Sequence, residues 1–240
     1  MPLEVVAVST RGVQREAISL RPTMVVLGGY TARSADARER HVDELRTIGI
    51  EPPARIPAFW PVSASLLTTD DRIQVQGNRT SGEVEFALIF HGGDILVAVA
   101  SDHTDRELET SSIPRSKQCC AKVISREVLA FDDLADRWDS IVISSEVTDE
   151  EGHWLPYQRA ELASVMPPES LMHACFGGHP VPDGTVLLSG TVPLLDGQTR
   201  YAAAFRAALQ LPGGDRRLTL EYRIEALPDQ AGQPVARRFA

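Results

Sequence analysis

Three carboxylates sit at the outer ends of two apolar runs. They are Glu83, Glu85 and Asp102 in GEVEFALIFHGGDILVAVASDHTDRELE, residues 82–109. Gly92-Gly93 divides the runs and suits a two-residue hairpin turn, because a type I′ turn needs positive φ at both central positions. His91 then faces Asp94, and facing residue numbers sum to 185. In that register Glu83 faces Asp102 and Glu85 faces Ala100. Cross-strand partners share a face, as do residues i and i+2. All three acids therefore project from one side, where like charges repel. A hard divalent cation bound through oxygen, Mg²⁺ or Mn²⁺ with Ca²⁺ as a further option, would compensate them. The plainer alternative is that the acids cover a solvated face, since half-exposed strands alternate polar residues. A one-residue register slip would break the construction.

The rest of the chain must position this hairpin. Residues 3–9 and 23–29 read as strands that can pair, and the helix SADARERHVDELRTIG starts at a Ser34 cap and ends at Gly49. The Pro-rich stretch EPPARIPAFWPVSASLL reads as extended loop. Short strands follow in RIQVQG, KVISREVLAF, SIVISSEVT, DGTVLLSGTVP, QTRYAAAFRAAL and RRLTLEYRIEAL. FDDLADRWDSI and PPESLMHACFGG read as short helices. Strands outnumber helices, so the expected class is α+β and mostly β. Residues 1–55 form a strand–helix segment able to serve as a lid, and residues 56–240 hold the main domain.

The formal net charge of −9 over 240 residues argues against nonspecific nucleic-acid binding, which needs clustered positive charge. Cys119, Cys120 and Cys175 show no metal-ligand spacing and read as reduced packing thiols. The sequence shows no secretory signal and no run of 18 apolar residues, so a cytoplasmic location without a membrane partner is expected. No Gly-x-Ser-x-Gly elbow or phosphate-loop spacing occurs.

Glu83-Val84-Glu85, Ser101-Asp102-His103-Thr104-Asp105-Arg106, Ser116-Lys117 and Gly184 to Pro193 follow one another in order. In that order and spacing the chain resembles the fumarylacetoacetate hydrolase superfamily. More narrowly, SGEVE, SDHTDRELE and SKQ look like a bacterial branch known only as a domain of unknown function. The resemblance implies a rolled mixed β-sheet around a metal site, assembled as a homodimer. It implies metal-ligand roles for Glu83, Glu85 and Asp102. It places Lys117 beside metal and substrate, where an ammonium can stabilise an enolate or oxyanion, and it places Gly190 and Thr191 at the substrate's carboxylate or carbonyl. Gln158 loosely matches a glutamine behind such a site.

The chain departs from that pattern at several letters. Ser101 replaces an asparagine, His103 stands at an apolar or aromatic position, and Val192 separates Thr191 from Pro193. Hydrolytic relatives carry Tyr-x-x-His near the N-terminus, whereas Tyr30 is followed three residues later by Arg33. His41, further along the helix, is the candidate base, and a solvated helix residue is the alternative. Arg33 with Tyr30 is a candidate for a substrate carboxylate. His103 is a candidate substrate contact that strand alternation would turn the other way. Arg106 with Glu107 is expected as a structural ion pair. Trp60, Trp138 and Trp154 are expected to fill a core or a subunit interface.

The resulting expectation is a metal-dependent hydrolase cleaving a C–C bond in a small acylpyruvate-like oxo-acid through an enolate. A decarboxylase, hydratase or tautomerase of a small oxo-acid is the first alternative. A non-catalytic ligand-binding protein of the same fold is the second.

Overall fold

A computed structural model describes residues 2–10, 15–47, 52–214 and 216–227. The chain begins with β1 (Leu3–Val8), β2 (Arg15–Leu20), β3 (Met24–Gly29), helix α1 (Ala35–Thr47), β4 (Ala58–Val62), β5 (Leu67–Thr68), β6 (Arg72–Gln76) and β7 (Thr80–Ser81). The hairpin β8 (Val84–His91) and β9 (Asp94–Asp102) follows. Next come β10 (Thr104–Asp105), α2 (Arg106–Glu109), α3 (Ile113–Gln118), β11 (Lys122–Ile124) and β12 (Glu127–Ala130). The chain then forms β13 (Val142–Thr148), β14 (Trp154–Glu161), α4 (Pro168–Phe176), β15 (Thr185–Leu188), β16 (Ala204–Gln210) and β17 (Arg217–Leu227).

Ten strands make one mixed sheet in the order β2-β1-β12-β9-β8-β15-β3-β4, with β11 on β9 and β5 on β11. A second sheet runs β14-β13-β16-β17-β6. This is the α+β, mostly β class that the strand count implied, and the rolled mixed sheet that the resemblance implied.

The hairpin lies in the middle of the large sheet and is buried on both faces. Val84, Phe86, Leu88, Val97 and Val99 pack toward the second sheet with Phe205, Leu220 and Tyr222. Ala87, Ile89, Ala98 and Ala100 face a separate core with Val5, Leu20, Val25, Leu27, Val186 and Leu188. Strands from across the sheet feed this second core, because the sheet rolls around it. Burial on both faces explains why the two runs are almost continuously apolar. Leu88 is fully buried, and truncation of such a leucine to alanine costs about 2–5 kcal/mol.

The turn glycines have φ of 63° at Gly92 and 92° at Gly93. The observed register pairs His91 with Asp94, Glu85 with Ala100 and Val84 with Ser101. It is the register that a Gly-Gly type I′ turn dictates.

Elsewhere the local pattern misled. β1 and β3 do not pair: β1 lies between β2 and β12, and β3 between β4 and β15. The expected boundary at residue 55 thus falls between two paired strands, β3 and β4. Part of the Pro-rich stretch is the strand β4, and Pro61 is tolerated there because β4 ends the sheet order. KVISREVLAF breaks into β11 and β12, and FDDLADRWDSI forms two 3₁₀ segments, Phe131–Asp133 and Ala135–Ser140. Ser34 does cap α1, its Oγ accepting from Ala37 N at 3.0 Å. Gly49, the expected stop, lies outside the described residues. Gly177 ends α4 in the left-handed region, with φ of 63°. No helix among the described residues is long and apolar enough to cross a membrane.

Candidate metal centre

At the end of the hairpin the inner face changes from alanines to acids. Glu83, Glu85 and Asp102 each present an oxygen, and these oxygens lie within 4.8 Å of one another. The Asp102 amide donates to the Glu83 carbonyl at 3.0 Å, which continues the hairpin register one step past β8. Glu85 and Asp102 are buried, at 1% and 0% exposure, whereas Glu83 is partly open. A solvated sheet face does not describe this environment. A second group of possible ligands, Asp149, Glu151 and His153, lies at a surface turn. His153 N there donates to an Asp149 carboxylate oxygen at 2.7 Å, an ordinary turn-closing bond.

Three cationic side chains surround the acids. Lys117 comes from α3, a short helix with proline in its first turn, which lays the side chain over the end of the hairpin. Its Nζ bonds Asp102 Oδ2 and lies 3.9 Å from Glu83 Oε2. Lys122, at the start of β11, sits directly across from Asp102 in the ladder. Its Nζ donates to Asp102 Oδ1 at 2.8 Å and to the His103 carbonyl at 2.6 Å. Arg106 reaches Glu83 at 3.1 Å, Glu109 at 2.8 Å and Ser81 Oγ at 2.6 Å. Its partners are thus Glu83 and Glu109, in place of the expected Glu107. On a helix the i,i+3 spacing brings Glu109 onto the same side, and adjacent residues diverge.

These neighbours divide the acids. Burial alone would raise Asp102, but Lys117 and Lys122 outweigh it and hold the carboxylate well below its ordinary range. Glu85 goes the other way. Burial, then the charges of Asp102 and Glu83, push it well above the ordinary range, with Lys117 and the Gly190 amide opposing. Burial lowers Lys117, but Asp102, Glu83 and Glu109 together keep its ammonium above the usual range. Among the described residues no ion pair reaches Glu85, and its Oε2 accepts the Gly190 amide at 2.8 Å. A buried carboxylate beside two others, with no ammonium of its own, fits a divalent cation. Oxygen-only donors select a hard ion of the Mg²⁺ or Mn²⁺ kind.

The loop after β15 closes the other side. Gly190 has φ of 87°, and a Cβ there would lie 2.2 Å from Thr31 Oγ1, so only glycine brings this amide to Glu85. Thr191 Oγ1 donates to the Val84 carbonyl at 2.9 Å and accepts from Gln158 Nε2 at 2.7 Å. Its hydroxyl is turned to β8. Gln158 is buried and also accepts from Val84 N at 3.0 Å. The glutamine ties the loop to the peptide between the two glutamates.

The other candidates are placed as follows. Tyr30 is buried, its backbone at φ 57° and its ring 6.4 Å from the Trp60 ring. Burial, then Glu109, raises its hydroxyl, and Lys117 opposes them, which puts Tyr30 in the field of the site. Arg33 points elsewhere, pairing with both oxygens of Asp139 at 2.8 and 2.6 Å and donating to the Val165 carbonyl. His41 is on α1, and its side chain lies outside the described residues. His103 follows strand alternation to the opposite face. Its Nδ1 lies 2.9 Å from the Tyr222 hydroxyl and its Nε2 2.9 Å from Thr80 Oγ1. Burial, then Lys122 and Arg106, push its pKa down to about 3. It therefore stands behind the site as a neutral ring.

Sequence reasoning missed Lys122, Glu109 and Trp60. The Lys117 Nζ lies over the Trp60 ring at 5.6 Å from its centroid, so this tryptophan borders the lysine as well as packing. No alternation in KVIS marks Lys122, since Val123 and Ile124 are both apolar; the pairing of β11 with β9 sets it opposite Asp102. Cys120 is buried and its thiol is pushed up to about 12, in keeping with a packing thiol.

Residues 28–222 match the model of a family described as a protein of unknown function, DUF2848. The chain belongs to that family. The match covers every residue of the centre, and the family is one known only as a domain of unknown function, as the narrower resemblance implied. No curated protein matches it. Among solved structures, Cg1458 aligns with a TM-score of 0.64 at 13% identity, covering 89% of this chain and 83% of that one. A hexagonal crystal form of 2-keto-3-deoxyarabinonate dehydratase aligns with a TM-score of 0.63 at 19% identity, covering 88% and 78%. 2-Keto-3-deoxy-D-arabinonate dehydratase complexed with magnesium and 2,5-dioxopentanoate gives 0.58 at 19% identity, covering 88% and 76%. At these identities the DUF2848 chain shares their fold.

Proposed function

We propose that the chain is a divalent-metal-dependent enzyme that converts a small 2-oxo acid through its enolate. The observation that carries the reading is the buried triad Glu83, Glu85 and Asp102 with the Lys117 ammonium at its edge. Two of the acids are almost fully enclosed, and enclosing like charges is costly unless a cation joins them. Magnesium in a dehydratase of the same fold is a further support.

The chain's own groups suit enolate chemistry. Glu83, Glu85 and Asp102 would hold the cation, which when bound supplies a Lewis acid to a substrate oxygen. Lys117 is charged and close to the triad, so it can donate a hydrogen bond to the oxygen on which negative charge develops. The Gly190 loop and Gln158 keep the Glu85 carboxylate aimed at the same point. Asp102 stays ionised between its lysines.

We place loss of water from the enolate, or a loss of carbon dioxide that itself generates the enolate, ahead of hydrolysis of a C–C bond. Arg33 stands where hydrolytic relatives have their water-activating histidine, and it is held by Asp139. One of the solved structures that share the fold is named a dehydratase. The test is an assay of purified protein with 2-keto-3-deoxy sugar acids, oxaloacetate and acylpyruvates, with Mg²⁺, with Mn²⁺ and with chelator. Metal-dependent formation of a dehydrated or decarboxylated product supports the reading. Turnover confined to acylpyruvates restores hydrolysis, and turnover unaffected by chelator rejects the metal site.

A further inference from the structure

Behind the acids, on the opposite face of β9, lies a group of buried polar side chains that the proposed chemistry does not use. Ser101 and His103 flank Asp102 in the chain. Both reach the hydroxyl of Tyr222, on β17 of the second sheet: Ser101 Oγ lies 2.8 Å from it and His103 Nδ1 2.9 Å. The other ring nitrogen of His103 is 2.9 Å from Thr80 Oγ1 on β7. All four residues are buried. A phenol has one proton to give, so Tyr222 donates to one of its partners and accepts from the other. Gly82, next to Glu83, makes room for it: a Cβ there would lie 2.7 Å from the Tyr222 hydroxyl. One hydroxyl is thus seated against the chain beside Glu83 and bonded to the residues on both sides of Asp102.

The backbone needs an anchor at this point. The β8–β9 ladder has its last pair at Val84 and Ser101, and β9 ends at Asp102. Strand ends open more readily than strand centres. Apolar side chains would fill the same space, in a core that holds Val84, Cys120 and Phe205, without the cost of enclosing polar groups. Hydrogen bonds add a direction that apolar packing lacks, and a satisfied buried network makes its surroundings rigid. We propose that Tyr222 is a positioning residue, whose hydroxyl pins the chain on both sides of Asp102 and so holds the Asp102 carboxylate toward the point where Glu83 and Glu85 converge. The inference rests on the metal-dependent reading and adds the second sheet to the parts that build the centre.

The probe is Mn²⁺ alone, followed by calorimetry and by the electron paramagnetic resonance of the bound ion, whose zero-field splitting reports distortion of its ligands. Wild type comes first, and absence of Mn²⁺ binding overturns both the metal reading and this proposal. Where wild type binds, Tyr222→Phe, which removes one oxygen and keeps the ring, should bind Mn²⁺ about tenfold or more weakly and with an altered splitting. Leu88→Ala, a core truncation farther along the hairpin, should lower the Tm and leave affinity and spectrum unchanged. A Tyr222→Phe variant that melts lower yet keeps both, or a Leu88→Ala variant that loses as much, marks the tyrosine as merely structural and overturns the proposal while the metal site stands. The second arm is a double-mutant cycle. Ser101→Ala alone should weaken Mn²⁺ binding, and added to Tyr222→Phe it should weaken binding no further, because the two share one bond. Additive losses overturn the proposal. If Tyr222→Phe fails to fold, His103→Leu decides: it removes one arm and keeps the hydroxyl, and unchanged Mn²⁺ affinity and splitting there overturn the proposal.

Discussion

Glu83 and Asp102 face each other across the hairpin, the Asp102 amide donating to the Glu83 carbonyl at 3.0 Å. Two carboxylates are thus fixed side by side by backbone pairing, before any side chain chooses a rotamer. The third acid, Glu85, lies two residues along the same face. The sheet itself sets the spacing of the acids, and the surrounding lysines and loop amide act on the charges of Asp102 and Glu85. The predictions below follow from that division.

Glu85→Gln removes the acid that burial and its neighbours push up. The sign is definite. A carboxyl whose folded pKa is raised binds its proton more tightly when folded, so the metal-free protein loses stability as pH rises from the ordinary carboxylate range through the raised value. The variant should melt higher than wild type at neutral pH without metal, with the gap closing as pH falls. It should also bind Mg²⁺ or Mn²⁺ more than about 100-fold more weakly, since even residues behind a ligand are worth about 10–100-fold. Differential scanning fluorimetry and calorimetric titration check both halves.

Metal should stabilise the folded chain. At a free concentration about 100 times the dissociation constant, binding adds about 2.7 kcal/mol. For a chain of this size that corresponds to a rise in Tm of about 5–10 °C. Asp102→Ala should abolish the rise, and chelator should reverse it in the wild type. Unchanged melting at saturating Mg²⁺ and Mn²⁺ would rule out a tight site.

His103 should make the protein acid-sensitive. Its folded pKa is about 3, against about 6.5 in an unfolded chain. Between those values the unfolded state binds a proton that the folded state refuses, so stability falls as pH drops, by about 1.4 kcal/mol per unit in mid-window for one group. His103→Gln should lose part of this slope between about pH 6.5 and pH 3. Urea unfolding across that range measures it, and identical slopes in variant and wild type would refute the buried neutral ring.

Gly190→Ala should damage the centre through the backbone. The residue has φ of 87°, and its new Cβ would meet Thr31 Oγ1 at 2.2 Å. The strain costs about 1–3 kcal/mol and moves the amide that binds Glu85. A lower Tm together with weaker metal binding is expected. Thr31→Ala in the same chain should restore part of the stability by removing the clash.

Reading the sequence alone put the three acids on one face because the determinants of that placement are local. Gly92-Gly93 supports a tight turn at both positive φ values, the turn sets the register, and register puts Glu83, Glu85 and Asp102 on one face. Alternation also turned His103 away from that face. Ser34 at the start of α1 was legible for the same reason, as a cap acts within one turn.

What only the tertiary structure decided is everything set by distant partners. β1 and β3 have similar sequences for pairing, yet each is claimed on both edges by other strands, and no local signal reports which. β4 looked like loop because it lies in a Pro-rich stretch and carries Pro61 itself, which its place at the end of the sheet tolerates. Arg33 had the chemistry for a substrate carboxylate, but Asp139, 106 residues away, took it. Lys122 was one lysine among many until β11 paired with β9 and set it opposite Asp102 in a buried interior. A turn and an alternating strand specify which side chains share a face. Whether a charge on that face meets water, another charge or a metal depends on which segments of the chain fold over it, and that is a property of the packed structure.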